Sequence, residues 1–291
     1  MSSLVFLKRH PTMTYYLLVF LLSWTLILLV IGPEEFVGAR PLAPSQMLLV
    51  VFMAPLLGPT TAGIVTASLV YGRAGIRDIR LRLFTWRLSP RWYALALFTA
   101  PALTVTILFG LSLISPLFLP TIVTAADKVS LVAIGVVAGL LVPSMEELGW
   151  TGFAIPELRK TRSVLVTGLI VGILWGTWHA PLFSGEAVNS SGGVPPVLFL
   201  AVLLFTWLPA YRTLMIWAYD HTKSILLMIL MHFPIVFGSL VLTPAALGTT
   251  AVIFDLILAT SLWILVAAAL FRDRQRASQS ALRPTKNSNP F

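Results

Sequence analysis

Long apolar runs alternate with short polar connectors along nearly the whole chain. A helix needs about 20 apolar residues to cross about 30 Å of hydrocarbon. Runs of that order lie near 13–32, 46–71, 92–119, 131–155, 163–183, 196–218, 223–243 and 249–271. They predict an all-α polytopic membrane protein of about eight transmembrane helices, with 1–271 forming a single transmembrane domain. The connectors carry Pro, Gly or charge, as in Gly32-Pro33-Glu34-Glu35 and the Gly/Ser/Pro-rich stretch 184–196. No internal repeat is visible. Residues 272–291 are basic and rich in Ser, Asn and Pro, which predicts a disordered tail.

Composition excludes the soluble alternative. The chain is 57% hydrophobic and 11% charged, where a soluble domain carries about 25% charged residues. It has no cysteine, so a disulfide framework, a zinc–thiolate site and a cysteine nucleophile are all excluded. A net charge of +9 suggests nucleic acid until the charges are placed. Lys8 and Arg9 fall on one side of the layout. So do Arg73, Arg77, Arg80, Arg82, Arg87 and Arg91, then Arg159, Lys160 and Arg162, Arg212 and Lys223, and Arg272, Arg274, Arg276, Arg283 and Lys286. That side holds eighteen of the 20 basic residues; Arg40 and Lys128 fall on the other. The positive-inside rule makes the rich side, with both termini, cytoplasmic. A multi-pass protein of a prokaryotic plasma membrane is the expected setting. The excess charge is a topology signal and a contact with anionic membrane lipids, not a nucleic-acid footprint.

Two local features refine the layout. The run after Lys8 and Arg9 is about 20 residues, too long for a typical signal-peptide core, and reads as an uncleaved first span. In the connector 73–91, Arg73, Arg77 and Arg80 share one helical face while Ile76, Ile79 and Leu83 share another, with Trp86 and Trp92 flanking. A helix lying in the interface and a merely basic loop both fit this pattern.

Ionisable residues inside spans cost roughly 2.5 kcal/mol or more each, so they mark function. Here they are Glu146, Glu147, His179, His232 and Asp255. Two adjacent carboxylates and two imidazoles from three spans have catalytic potential. A carboxylate in a water-poor site suits a general base. Histidines can position water, bind a metal or donate to an oxyanion. Counted at 1.5 Å per residue, His232 lies about 14 Å from residue 223 and His179 about 24 Å from residue 163. Glu146 lies roughly 15 Å deep if its helix runs on to Ile155, and the apolar run Leu148–Ile155 predicts that it does. Pro143 is expected to kink that helix. Trp175 and Trp178 read as core or belt residues. Asp255 has no assigned role, and Arg212, Asp220 and His221 fall at a cytoplasmic turn with structural roles.

The local sequence around these residues resembles a known family. Pro143-Ser144-Met145-Glu146-Glu147-Leu148-Gly149-Trp150-Thr151 is similar to the first motif, Glu-Glu-x-x-x-Arg, of the CPBP intramembrane proteases (CAAX proteases and bacteriocin-processing, Abi-type proteins). Trp175-Gly176-Thr177-Trp178-His179 resembles the second, an aromatic residue four before a histidine. Asp220-His221-Thr222-Lys223-Ser224, leading to Leu230-Met231-His232, resembles the third. The resemblance is close over Val142–Val236, within a protease-like core of 131–243.

It implies a glutamate-dependent endopeptidase whose intramembrane site opens to the cytoplasm, acting on a membrane-associated protein or peptide. By position, Glu146 is the base that activates water and Glu147 supports it. His179 orients the water, and His232 stabilises the oxyanion or completes a metal site. A divalent metal such as zinc, held by Glu146, His179 and His232, stays open; the His-Glu-x-x-His spacing is missing. Two positions depart from the pattern. Thr151 stands where the motif has Arg, and its hydroxyl is expected to bond a backbone carbonyl one turn earlier, making Thr151→Ala nearly silent. Val236 stands where the third motif often has Asn, which removes an oxyanion donor. These losses favour a second hypothesis, a non-catalytic immunity or regulatory membrane protein on the same fold. Intramembrane carboxylates also serve proton-coupled transporters, but the missing repeat weighs against that.

The charge split makes a topology prediction. Reporter fusions after residues 90, 160 and 280 should read cytoplasmic, and those after 40, 125 and 190 external. An external reading at 160 contradicts the layout.

Overall fold

Hydrocarbon offers a backbone no hydrogen-bond partners, so each apolar run must satisfy its own N–H and C=O groups as helix. The computed structural model describes residues 7–37, 43–244 and 248–281, and among them it is helical without strands. The first run forms α1 (Pro11–Phe36), with a break at Gly32, whose φ is +83°. The second is α2 (Pro44–Pro55) and α3 (Thr61–Tyr71), joined through a π-helical turn at Leu56–Thr60. The connector 73–91 contains a true helix, α4 (Arg73–Leu83), entered through Gly72 at φ +60°. Its Arg73, Arg77 and Arg80 are exposed while Ile79 is buried.

The third span is α5 (Pro90–Ser112), followed by a single turn, α6 (Thr121–Thr124). The fourth is α7 (Lys128–Gly149), a π turn (Trp150–Ala154) and α8 (Ile155–Arg159), continuous as expected. Its irregularity falls at the π turn rather than at Pro143. Then come α9 (Val164–Ser190), α10 (Pro196–Phe205), α11 (Trp207–Thr222), α12 (Ile225–Val241) and α13 (Thr249–Ala281). Seven segments of the described residues are long and apolar enough to span, and α12 is a shorter apolar helix. Together they match a polytopic layout of about eight crossings. α13 runs helical through Arg272–Ala281, the first half of the expected tail; residues 282–291 and Arg40 lie outside the described residues.

One assignment from the charge pattern changes. Arg212 is not a connector residue. It lies inside α11, eleven residues before the left-handed cap at Lys223 and so about 16 Å along the helix, and is 0% exposed. The alternation of the other basic residues is unaffected. Contacts between connectors gather Tyr71 with Glu157 and Lys160, Arg159 with Asp220, and Trp217 with Asp273 at one end of the bundle. Thr121 bonds the carbonyl of Thr243 at the other.

Close helix approach depends on missing side chains, the usual device where lipid supplies no driving force between helices. Gly168, Gly172 and Gly176 line one face of α9. A Cβ at Gly172 would lie 2.4 Å from Pro209 Cα, and one at Gly168 would lie 2.6 Å from Thr213 Cα. The result is that α11 seats directly on α9, which carries Arg212 into the interior. Gly149, at the end of α7, does the same against the first π turn: its Cβ would lie 2.0 Å from Pro59 O.

Gly172→Leu should therefore force α9 and α11 apart, at about 1–3 kcal/mol or more. Thermal unfolding in detergent should show a clear drop in Tm. An unchanged Tm contradicts this packing account.

Candidate active site

The glutamate pair sits on the last turn of α7, where the helix widens into the π turn. Residues four apart share a helical face, so Trp150 falls beside Glu146 and Thr151 beside Glu147. Trp150 Nε1 donates to Glu146 Oε2 at 3.2 Å, and Trp175 Nε1 on α9 donates to the same oxygen at 2.9 Å. Glu146 Oε1 receives no hydrogen bond from the described residues. Two indoles thus pin one oxygen and leave the other unpartnered, although the residue is only 1% exposed.

Glu147 is held from every direction. Arg212 Nη1 approaches Oε1 at 2.8 Å and Oε2 at 3.0 Å. The Thr151 hydroxyl donates to Oε2 at 2.5 Å, and His232 Nδ1 lies 2.9 Å from Oε1. Both Glu147 and Arg212 are 0% exposed. The Arg212 guanidinium also lies over the Trp175 ring at 4.1 Å, so one indole faces the cation and hydrogen-bonds the neighbouring carboxylate. Arg212 Nε and Nη2 find no partner among the described residues. α12 is tied to the same place by Tyr211 Oη, which donates to Met231 O at 2.7 Å.

The two histidines have determined tautomers. His179 Nδ1 lies 2.9 Å from the carbonyl of Trp175; a carbonyl only accepts, so Nδ1 carries the proton. The ionised Glu147 fixes His232 in the same form. In the neutral form each ring presents Nε2 as an acceptor, which suits orienting a water or binding a metal. It does not suit donating to an oxyanion, one of the two roles the resemblance implies for His232, unless Nε2 takes a second proton. His179 packs edge-on to Trp175 (5.5 Å between centroids) and Trp178 (4.7 Å), and His232 packs on Trp175 at 5.0 Å. Trp175 is thus the common wall of Glu146, Arg212 and both imidazoles.

Of the four site residues read from sequence, Glu147 and His232 meet directly, while Glu146 and His179 join them through Trp175. Among the described residues no three His, Cys, Asp or Glu side chains stand close enough together to hold a metal ion. The trio Glu146, His179 and His232 has the right tautomers for one but not the spacing. The cluster is also closed. Glu146, Glu147 and His232 are at most 1% exposed, only His179 is half-buried, and a groove of about 530 Å³ lined by Phe205, Thr206, Leu256, Thr260 and Trp263 contains none of them.

Sequence reasoning missed four contributors. Arg212 supplies the cation that Thr151 was thought to remove. Thr151 bonds the Glu147 carboxylate, not a backbone carbonyl. Trp150 and Trp175 donate to the Glu146 carboxylate, so Trp175 is more than the core or belt residue expected. The i+4 spacing from each glutamate was a usable signal for Trp150 and Thr151; no local pattern announces Arg212.

Fold and cluster together define a polytopic membrane protein with an anchored pair of buried glutamates flanked by histidine and tryptophan. Residues 128–238 match the family model "Type II CAAX prenyl endopeptidase Rce1-like", and that segment is similar to the CPBP-family proteases the motifs resemble. A curated relative, CAAX prenyl protease 2 of Methanococcus maripaludis, is 32% identical over 104 residues, covering 32% of this chain and 35% of the relative. The chain thus spans about a third of the length of that relative.

The geometry predicts that removing one partner of the buried pair, as in Arg212→Met, destabilises by about 3–5 kcal/mol. Adding Glu147→Gln should recover part of that loss. Thr151→Ala should cost about 2 kcal/mol and Thr151→Ser little, as read by denaturation in mild detergent. Additive single and double effects at 147 and 212 contradict the pairing.

Proposed function

We propose that the protein is an intramembrane endopeptidase that hydrolyses a peptide bond of a membrane-associated protein or peptide, with Glu146 as the general base. The observation that carries this is the division of labour between adjacent carboxylates. Glu147 is saturated by a guanidinium, a hydroxyl and an imidazole, while Glu146 keeps one oxygen unpartnered and shares the Trp175 wall with both imidazoles.

In the reaction, a water held between Glu146 Oε1 and an imidazole Nε2 gives its proton to Glu146 as its oxygen adds to the peptide carbonyl carbon. The tetrahedral intermediate collapses when Glu146 returns that proton to the leaving nitrogen and the C–N bond breaks. Glu147 takes no proton; it holds His232 and Arg212 in place. His179, the half-buried member, stands at the entry, and a substrate must part the helices beside it to reach Glu146. Following the charge layout, the glutamate turn and the arginine-rich connectors beside it approach the cytoplasmic face of a prokaryotic plasma membrane. The relative is named a CAAX prenyl protease; for this chain the class proposed is a membrane-associated peptide. A bound divalent metal would supply Lewis-acid chemistry.

The closure of the cluster favours the second reading, a non-catalytic partner-binding protein on the same fold. Glu146→Gln separates the two. Comparative proteomics of membranes carrying wild type or the variant should show an uncleaved precursor accumulating, with cleavage slowed by about 10²-fold or more. Equal processing by both removes Glu146 from catalysis.

A further inference from the structure

The connector between α3 and α5 presents two faces. Outward, it exposes Arg73, Arg77, Arg80, Arg87 and Arg91. Leu81, Phe84 and Trp86 stand among them, 59%, 67% and 60% exposed. Asp78 is the one acidic residue in 73–91, and it is neutralised by Arg82 at 2.7 Å. Arg87 and Arg91 each lie 5.4 Å over an indole, Trp86 and Trp92. The flanking spans end at Tyr71 and begin at Pro90, so the segment is held at the rim of the bundle, where headgroups lie. Clustered guanidinium groups with exposed aromatic and aliphatic side chains match the boundary between anionic headgroups and acyl chains. A soluble acidic partner would leave those apolar groups unused.

Inward, Arg82 reaches the helix that carries the glutamates. Its Nη1 donates to Thr151 O at 3.1 Å and its Nη2 to Gly152 O at 2.7 Å. Both carbonyls belong to the π turn, whose widened hydrogen-bonding pattern disturbs the regular ladder. Arg82 Nη1 also donates to Tyr219 Oη on α11 at 2.9 Å. Thr151 in turn bonds Glu147. At the end of the segment, the Ser224 hydroxyl at the start of α12 donates to Thr85 O at 2.6 Å, and α12 carries His232. One surface segment therefore touches all three helices that build the Glu147 anchor.

We propose that the arginine-rich segment 73–91 binds anionic lipid headgroups, and that Arg82 carries this binding to the π turn that positions Glu146 and Glu147. Arg82 is a positioning residue: it touches no reacting atom. Ordering of the glutamate turn then depends on membrane charge. Only the consequence for rate rests on the proteolytic function proposed above.

The test compares the full chain in nanodiscs of phosphatidylcholine alone with nanodiscs also containing phosphatidylglycerol, followed by amide hydrogen exchange. In the wild type, the anionic lipid should slow exchange several-fold in both 73–88 and 150–156. Arg82→Gln should keep the slowing at 73–88 and lose it at 150–156. The triple variant Arg73→Gln, Arg77→Gln, Arg80→Gln should lose both. Where cleavage is measurable, the anionic lipid should raise kcat with little change in KM, and Arg82→Gln should abolish that difference. Wild-type exchange at 150–156 that ignores lipid charge overturns the proposal, as does an Arg82→Gln response equal to that of the wild type. If the exchange pattern appears but no nanodisc supports cleavage, the proteolytic function fails and the lipid coupling stands.

Discussion

Taking an ionised carboxylate out of water costs several kcal/mol even after the protein relaxes, and only a well-placed partner offsets it. Glu147 has no exposed surface, so its charge has to be matched inside the bundle. Arg212 matches it, and much of the architecture serves that meeting. The glycine face of α9 lets α11 approach closely enough to deliver the guanidinium. The end of α7 carries Thr151 to the same carboxylate, and α12 brings His232 to its other oxygen. Three helices therefore converge on one side chain, with α9 as the seat of the second. Shifting any of them leaves a buried charge underpaired, which gives the arrangement a strong preference for a single geometry.

Glu146 follows from this anchor. As the neighbour of Glu147 it points about 100° away around the helix, toward Trp150 and Trp175. Because Trp175 also lies against Arg212 and both imidazoles, the two carboxylates share a wall but not a role. One is consumed in holding the fold together at this point. The other keeps an unpartnered oxygen, which is what proton transfer requires.

Much of this was legible in the sequence, for identifiable reasons. The spans follow from apolar length, and the glutamates and histidines stand out because charge is costly inside a membrane. Arg212 was hidden because a charge near a span boundary looks like a loop residue; its partner lies 65 positions away in sequence. The Thr151 hydroxyl was expected on a backbone carbonyl of the preceding turn, whereas the Glu147 carboxylate on that same turn takes it. The tautomers of His179 and His232 depend on which acceptor meets Nδ1, and no sequence pattern contains that. The break in the ladder was expected at Pro143, whereas the helix accommodates that proline and widens one turn later.

The central claim is that a buried positive charge beside Glu147, whatever helix it comes from, is what makes the neighbouring Glu146 competent. Thr151 touches the same carboxylate, so the charge can be moved there. The measurement is cleavage of a membrane-borne substrate by Arg212→Gln and by Arg212→Gln combined with Thr151→Arg, each verified as folded by its unfolding transition. The account predicts that the single variant loses activity and the double variant regains a substantial part of it. A single variant with wild-type activity, or a folded double variant as inactive as the single one, would contradict it.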